Sequence, residues 1–389
     1  MRFRTLSRPG MILLAAATTA AAVAAAAPAS AAASAQASPV VGHVYVNDNT
    51  AGTNTIGVFD RHADGTLTPH AGSPFAAGGA GTGAGLASQG ALQISPDGRF
   101  LLAVDAGSSQ LSVLRLKPDG SLQLVPGGVA SSRGVLPVSV AIHGDLVYVA
   151  NAGTGGSNYT GFRLGRNGRL APVAGSTVAL PDGAQPGDVL FNGTGSKLAG
   201  ARVGTSQIDS FTVGADGRLT AAPGSPFPAQ GAGPFGSEFR PTNPRQLFVS
   251  NAHNGASAGT VSAFRDSANG TLTSIGSSPF ADNQTAPCWV EITHSGRFLF
   301  TVNTASGTIS SYSIARGGAL TLLGSTPVRG TGLGAVDARL SPDGQFLYVD
   351  ESATGAVAAF AVHGGTLTEL ASSPTSLPAG ATPAGIVVT

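Results

Sequence analysis

The feature that most constrains this chain is a recurring Gly-x-Leu signal. It falls at Gly65/Leu67, Gly120/Leu122, Gly168/Leu170, Gly217/Leu219, Gly270/Leu272, Gly318/Leu320 and Gly365/Leu367. Successive copies lie between 47 and 55 residues apart. A repeat of about 50 residues belongs to a solenoid or a propeller, in which each unit buries its apolar face against its neighbours. Within a copy the apolar residues alternate in short runs, the signature of strands. Residues 91–125 show this well: Ala91–Ile94, the turn Ser95-Pro96-Asp97-Gly98, Phe100–Val104, Leu111–Leu116, the turn Lys117-Pro118-Asp119-Gly120, then Leu122–Val125. Four antiparallel strands joined by tight turns make one propeller blade, so the expected fold is an all-β, seven-bladed propeller. The first copy opens at His43-Val44-Tyr45-Val46, which matches a second strand, while Pro383–Val388 matches a first strand with no blade of its own. The C-terminal strand is therefore expected to complete blade one and close the ring, removing the free edges that a solenoid would leave.

Residues 1–35 stand outside this pattern. Arg2, Arg4 and Arg8 precede an apolar run from Met11 to Ala27, and Ala33-Ser34-Ala35 offers a small-residue cleavage site, so a secretory signal peptide cut near Gln36 is expected. The mature domain would then span 36–389 as one propeller, secreted and monomeric, with no second apolar span to insert in a membrane. Losing three arginines takes 21 cationic residues to 18 against 20 acidic ones. Such a balance gives no basic stripe for nucleic acid and little long-range steering. The single cysteine, Cys288, excludes an intramolecular disulfide framework and any Cys-cluster metal site.

Alternating strand direction places the tight turns on one face and the long connections, such as Gly72–Gly90, on the other, where binding residues usually sit. Two rings should surround that mouth. The ends of the second strands supply Asp48, Asp105, Asn151, Arg202, Asn251, Asn303 and Glu351. Asp and Asn here fit local turn chemistry, whereas Arg202 and Glu351 break the pattern and are the stronger functional candidates. The innermost strands supply an upper level with Ser139, Asp188, Trp289 and Asp337, and a lower level with Gln93, Glu238, Glu291 and Arg339. Glu291 and Arg339 share a level in adjacent blades, which suggests an inter-blade ion pair. Trp289 is either a stacking platform or ordinary packing.

Other motifs carry less. Gly255-Ala256-Ser257-Ala258-Gly259 fits a nucleophile elbow but lies between strands, without the following helix. The glycine-rich run Gly78–Gly85 lacks a phosphate-loop ending. Cys288 and His294 would sit about 20 Å apart along a strand, so a buried thiol is expected. The seven histidines show no paired spacing for a metal and no calcium loop is present, so neither metal nor cofactor is expected.

Several of these segments resemble the secreted branch of the seven-bladed lactonase-like propellers, which includes bacterial 6-phosphogluconolactonase and fungal carboxymuconate lactonizing enzymes. The resemblance covers residues 42–389. It is carried by Gly65-Thr66-Leu67-Thr68, Ser95-Pro96-Asp97-Gly98-Arg99-Phe100-Leu101, Gly224-Ser225-Pro226-Phe227, Gly296-Arg297-Phe298-Leu299-Phe300 and Ser341–Val349. The residues tied to chemistry in that family depart from the pattern. Its Gly-Pro-Arg-His is Gly233-Pro234-Phe235-Gly236 here, its Ala-Glu-Ile is Cys288-Trp289-Val290, its Asn-Arg is Asn303-Thr304, and its Pro-His corresponds to Pro137-Val138. An anionic sugar-phosphate pocket needs several cations, and only Arg202 and Arg339 are candidates. Three readings stay open. One is a lactonase- or cyclase-like enzyme for a weakly charged lactone, with Asp337 or Glu351 as base and Arg202 on the oxyanion. The second is a non-catalytic propeller binding a glycan, peptide or metabolite through Trp289, with Asp188, Ser139, Asn151, Asn251 and Asn303 around the mouth. The third is a surface-interaction propeller with no small-molecule site.

Overall fold

A computed structural model describes residues 38–330 and 334–389; the expected signal peptide lies outside the described residues. Seven antiparallel sheets follow one another in chain order, and the innermost strands pack side by side around a common axis, forming a seven-bladed β-propeller. In blade 2 the strands are Leu92–Ile94, Phe100–Asp105, Gln110–Leu116 and Leu122–Ser131, close to the expected bounds. Blade 1 takes its innermost strand from the C-terminus. Ile386–Val388 pairs with the strand Val40–Asn47 through Val46↔Ile386, Tyr45↔Val387 and Val44↔Val388, and Thr389 and His43 add a backbone hydrogen bond of 2.9 Å.

The repeated motifs each have a structural task. Glycine of the Gly-x-Leu signal takes a left-handed backbone at six copies, for example φ 83° at Gly65 and 88° at Gly120, a conformation other residues adopt at a cost. At three copies its carbonyl accepts a tyrosine hydroxyl from the preceding blade: Tyr348 Oη donates to Gly65 O (3.0 Å), Tyr45 Oη to Gly120 O (3.1 Å) and Tyr148 Oη to Gly217 O (2.8 Å). The turn is thus both a hairpin and an inter-blade clamp.

The outer strand differs from a simple fourth strand. In five blades it is broken into two short pieces, as Leu67–Pro69 and Phe75–Ala76 in blade 1. In four of these blades a Ser-Pro step falls at the break, Ser73-Pro74, Ser225-Pro226, Ser278-Pro279 and Ser373-Pro374, and a proline cannot donate to the ladder. The serine hydroxyl then accepts the third-strand N–H left without a backbone partner: Val58 to Ser73, Ser210 to Ser225, Ala263 to Ser278 and Ala359 to Ser373, at 2.7–3.0 Å. Ser176 does the same for Gly161 in blade 3, without a proline. Between blades the core is aliphatic and aromatic, with Val44, Val46 and Phe59 of blade 1 against Tyr348 and Val357 of blade 7.

Candidate functional site

The second-strand ring is built into the blades. Six of its seven members are fully buried, and Arg202 is 9% exposed. Six of the seven reach the third strand of their own blade, and Glu351 bonds the turn that precedes it. Asp48 accepts from Thr55 (2.8 Å), Asp105 from Ser112 (2.6 Å), and Asn151 donates to Asn158 (2.9 Å). Asn251 bonds Ser262 and Asn303 bonds Ser310, both at 2.9 Å. Arg202 holds Asp209 with two bonds of 2.6 Å, and Tyr159 Oη donates to the same carboxylate at 3.0 Å. Glu351 accepts from Thr354 at 2.8 Å. These bonds tie the hairpin ends together, while one side-chain oxygen each of Asp48, Asn151, Asn251, Asn303 and Glu351 is buried without a hydrogen-bond partner among the described residues.

The inner ring is different, because a segment of chain runs into it. Ser88-Gln89-Gly90, at the end of the long connection into blade 2, closes the channel at the loop-rich face. Gln89 N donates to Gly187 O in blade 4, and Val140 N in blade 3 donates to Gly90 O, both at 2.9 Å. Gln89 Nε2 donates to Ser237 O in blade 5 (2.9 Å), while Val290 N in blade 6 donates to Gln89 Oε1 (3.0 Å). Trp289 Nε1 donates to Ser88 O (2.6 Å), and Gly90 N donates to Asp337 Oδ2 in blade 7 (3.0 Å). Three residues therefore bond to blades 3 through 7, and Ser88 and Gln89 are buried. Gly236 belongs to the same arrangement, since a Cβ there would overlap Gln89 Oε1 and the Cys288 carbonyl.

The upper-level residues are bound within this plug. Asp188 Oδ2 accepts from Ser237 N (2.9 Å) and Oγ (2.6 Å), and Oδ1 accepts from Ser139 Oγ (3.4 Å), linking blades 3, 4 and 5. Burial drives the Asp188 carboxyl up to about 7, against the pull of the Ser237 bonds. Burial also raises Asp337, with Arg339 opposing. Neighbouring Asp350 is fully buried and is raised well above its ordinary range by burial and by Asp337. Trp289 is 3% exposed and packs edge-to-face on Phe235, ring centres 5.4 Å apart. Cys288 is buried, which pushes its thiol up to about 11.

Below the plug, Arg339 Nη1 meets Glu291 Oε2 at 2.9 Å, the inter-blade pair expected from the register. Glu291 Oε1 accepts from Leu340 N (2.9 Å), and Glu238 Oε2 accepts from Ile292 N (2.6 Å). Burial raises Glu238 well above the usual carboxylate range, Glu291 pushes it the same way and Arg339 opposes both.

Asp337, Arg202 and Glu351 are thus not gathered in one pocket. Beside the plug, on the loop-rich face, a cavity of about 300 Å³ is lined by Leu86 and Ala87 of the entering segment, Leu136 and Val138 of blade 3, Gln185, Pro186 and Val203 of blade 4, and Phe235 and His253 of blade 5. Its walls are largely apolar. Among the described lining residues His253 is the one titratable side chain, and none is Lys or Arg. The sequence reading missed Gln89, Gln185, Phe235 and His253. A signal for one of them existed: Phe235 stands where the resembled enzymes carry Arg.

Comparison with known proteins agrees with this architecture. The family described as "Lactonase, 7-bladed beta-propeller" matches residues 52–182 and 238–383. No curated protein matches the chain. Among solved structures, a putative 6-phosphogluconolactonase from Bacteroides fragilis is 21% identical over 91% of this chain and 99% of its own, with a TM-score of 0.71. One from Bacteroides uniformis is 20% identical over 90% and 100%, TM-score 0.72. The periplasmic gluconolactonase of Pseudomonas aeruginosa is 19% identical over 90% and 99%, TM-score 0.71. The match to the family spans well over half of the chain, and the protein belongs to the seven-bladed β-propeller lactonase family.

Proposed function

We propose that this propeller is an exported lactonase-type enzyme whose site is the off-axis cavity at the mouth, and that its substrate is an uncharged, largely apolar lactone. The single observation that carries this reading is the cavity wall: about 300 Å³, apolar, with His253 and Gln185 and no cation. A volume of that order suits a small ligand, and a phosphate or multiple carboxylates would enter with no countercharge. In hydrolysis His253 takes a proton from water as the water oxygen bonds to the lactone carbonyl carbon. The Gln185 amide donates to the carbonyl oxygen as charge develops there. The ring C–O bond then breaks, and the alkoxide recovers the proton from the imidazolium. Export is supported by the basic-then-apolar N-terminal sequence, and a solved relative is named as a periplasmic gluconolactonase.

Turnover of a neutral alkyl lactone by the wild-type protein and by His253→Ala tests this. General base catalysis is typically worth about 100- to 10,000-fold, so kcat should fall by at least the lower figure with little change in KM. Binding without turnover in the wild-type protein would reduce the reading to a non-catalytic binding site. Undiminished turnover in His253→Ala would remove His253 from the mechanism.

A further inference from the structure

On the face opposite the mouth, at the ring-closing blade, the hairpins bring together two histidines that are 27 residues apart in sequence. His43 on the strand Val40–Asn47 lies directly across from Asp60 on the strand Thr55–His62, and His70 follows the outer piece Leu67–Pro69. His43 Nε2 is 3.4 Å from Asp60 Oδ1, and His70 Nδ1 is 2.6 Å from the same oxygen. The three donor atoms lie within 4.8 Å of one another. Donors bound tetrahedrally at 2.0–2.1 Å from one ion are about 3.3 Å apart, so the His43–Asp60 separation already has that length. The His70–Asp60 hydrogen bond would lengthen modestly as a cation replaced it.

The ligands are held from behind. The His43 ring lies on Gly120 of blade 2, where a Cβ would overlap it, and beside Tyr45, 6.0 Å between ring centres. His70 packs 5.4 Å from His43, ring to ring, and 6.2 Å from Phe75. The side chains keep 10–26% of their surface exposed, enough for an ion to enter and for water to complete its shell.

We infer that His43, Asp60 and His70 form a binding site for a divalent transition-metal ion of the zinc type. Two imidazoles and one carboxylate select such an ion over calcium or magnesium, which prefer all-oxygen shells. Bound there, the ion links the second, third and fourth strands of blade 1, and the first of these pairs with the C-terminal strand. It therefore strengthens the blade that closes the ring, and folded-state stability rises with metal concentration.

Titration of tag-free, chelator-treated protein with Co²⁺ and Zn²⁺ tests the site. The expected result is one equivalent of Co²⁺ with the strong visible bands of a tetrahedral N/O site, displaced by Zn²⁺, and a melting temperature that rises with added Zn²⁺. His70→Gln and Asp60→Asn should each weaken binding by more than the roughly 10- to 100-fold that losing even an outer-shell partner costs. His363→Gln should leave it unchanged. Absence of saturable binding below about 1 mM in folded wild-type protein overturns the site whatever the variants do, as does full binding by either ligand variant.

Discussion

Gln89 occupies the space that a side chain at Gly236 would need: a Cβ on Gly236 would overlap the Gln89 amide oxygen. The same amide oxygen accepts from Val290 N at 3.0 Å, and the amide nitrogen donates to Ser237 O at 2.9 Å. The glycine and the glutamine are thus two halves of one device, which closes the axial channel and shifts the accessible cavity to one side.

Gly236→Ala should destabilise the protein by about 1–3 kcal/mol, the usual cost of overpacking. In a Gln89→Gly background the cost should fall, although the Cys288 carbonyl still crowds the site. Denaturant unfolding of the four proteins of this double-mutant cycle reads the coupling, and strict additivity would contradict it.

The pair Arg339–Glu291 has a second carboxyl, Glu238, close by, and both carboxyls depend on one guanidinium. Arg339→Met should cost about 3 kcal/mol at pH 8, the lower end for breaking a buried pair because the arginine side chain is 23% exposed. Both glutamates have raised folded-state values, so they take up protons more readily than in the unfolded chain. The penalty should therefore shrink at pH 5, and melting curves of the variant at the two pH values test this.

Asp188 supplies a pH dependence of definite sign. Its folded-state value of about 7 lies above that of an unfolded aspartate, so the folded protein binds the extra proton. The associated stability is fully present below about pH 4 and is lost as pH rises through 7, at most about 1.4 kcal/mol per pH unit. Asp188→Asn can still accept the two Ser237 bonds and should flatten the decline in melting temperature between pH 5 and 8. An unchanged slope would place the titration elsewhere, for example at Asp48, also raised to about 7 by burial.

Ser225→Ala removes the hydroxyl that accepts Ser210 N at 3.0 Å and leaves a broken outer strand with an unpaired N–H. A loss of about 1 kcal/mol is expected in thermal or denaturant unfolding, and no loss would mean that water replaces the hydroxyl.

The architecture could be read in the sequence because its signals are local and repeated: Gly-x-Leu and period-two runs recur in every blade, Ser-Pro-Asp-Gly in two of them, and Ile386–Val388 fits the strand that blade 1 lacks. The Arg339–Glu291 level followed from the same register. The broken outer strand was less legible, since it depends on a serine hydroxyl replacing a ladder partner. The plug was not legible at all. Ser88-Gln89-Gly90 meets residues 50 to about 250 positions away, and no periodicity encodes which loop enters the axis. For the same reason the sequence placed Asp188, Trp289 and Asp337 at one level and left open what they face, and it left His43 and His70 apart.

The most direct test of the account compares kcat/KM for a neutral alkyl lactone and for 6-phosphogluconolactone on the wild-type protein, with Phe235→Arg alongside. The apolar, cation-free wall predicts clear preference for the neutral lactone, reduced or reversed when Phe235→Arg places a positive charge on that wall. Efficient hydrolysis of the phosphorylated lactone by the wild-type protein, with the neutral one ignored, would contradict the assignment of this cavity as the active site.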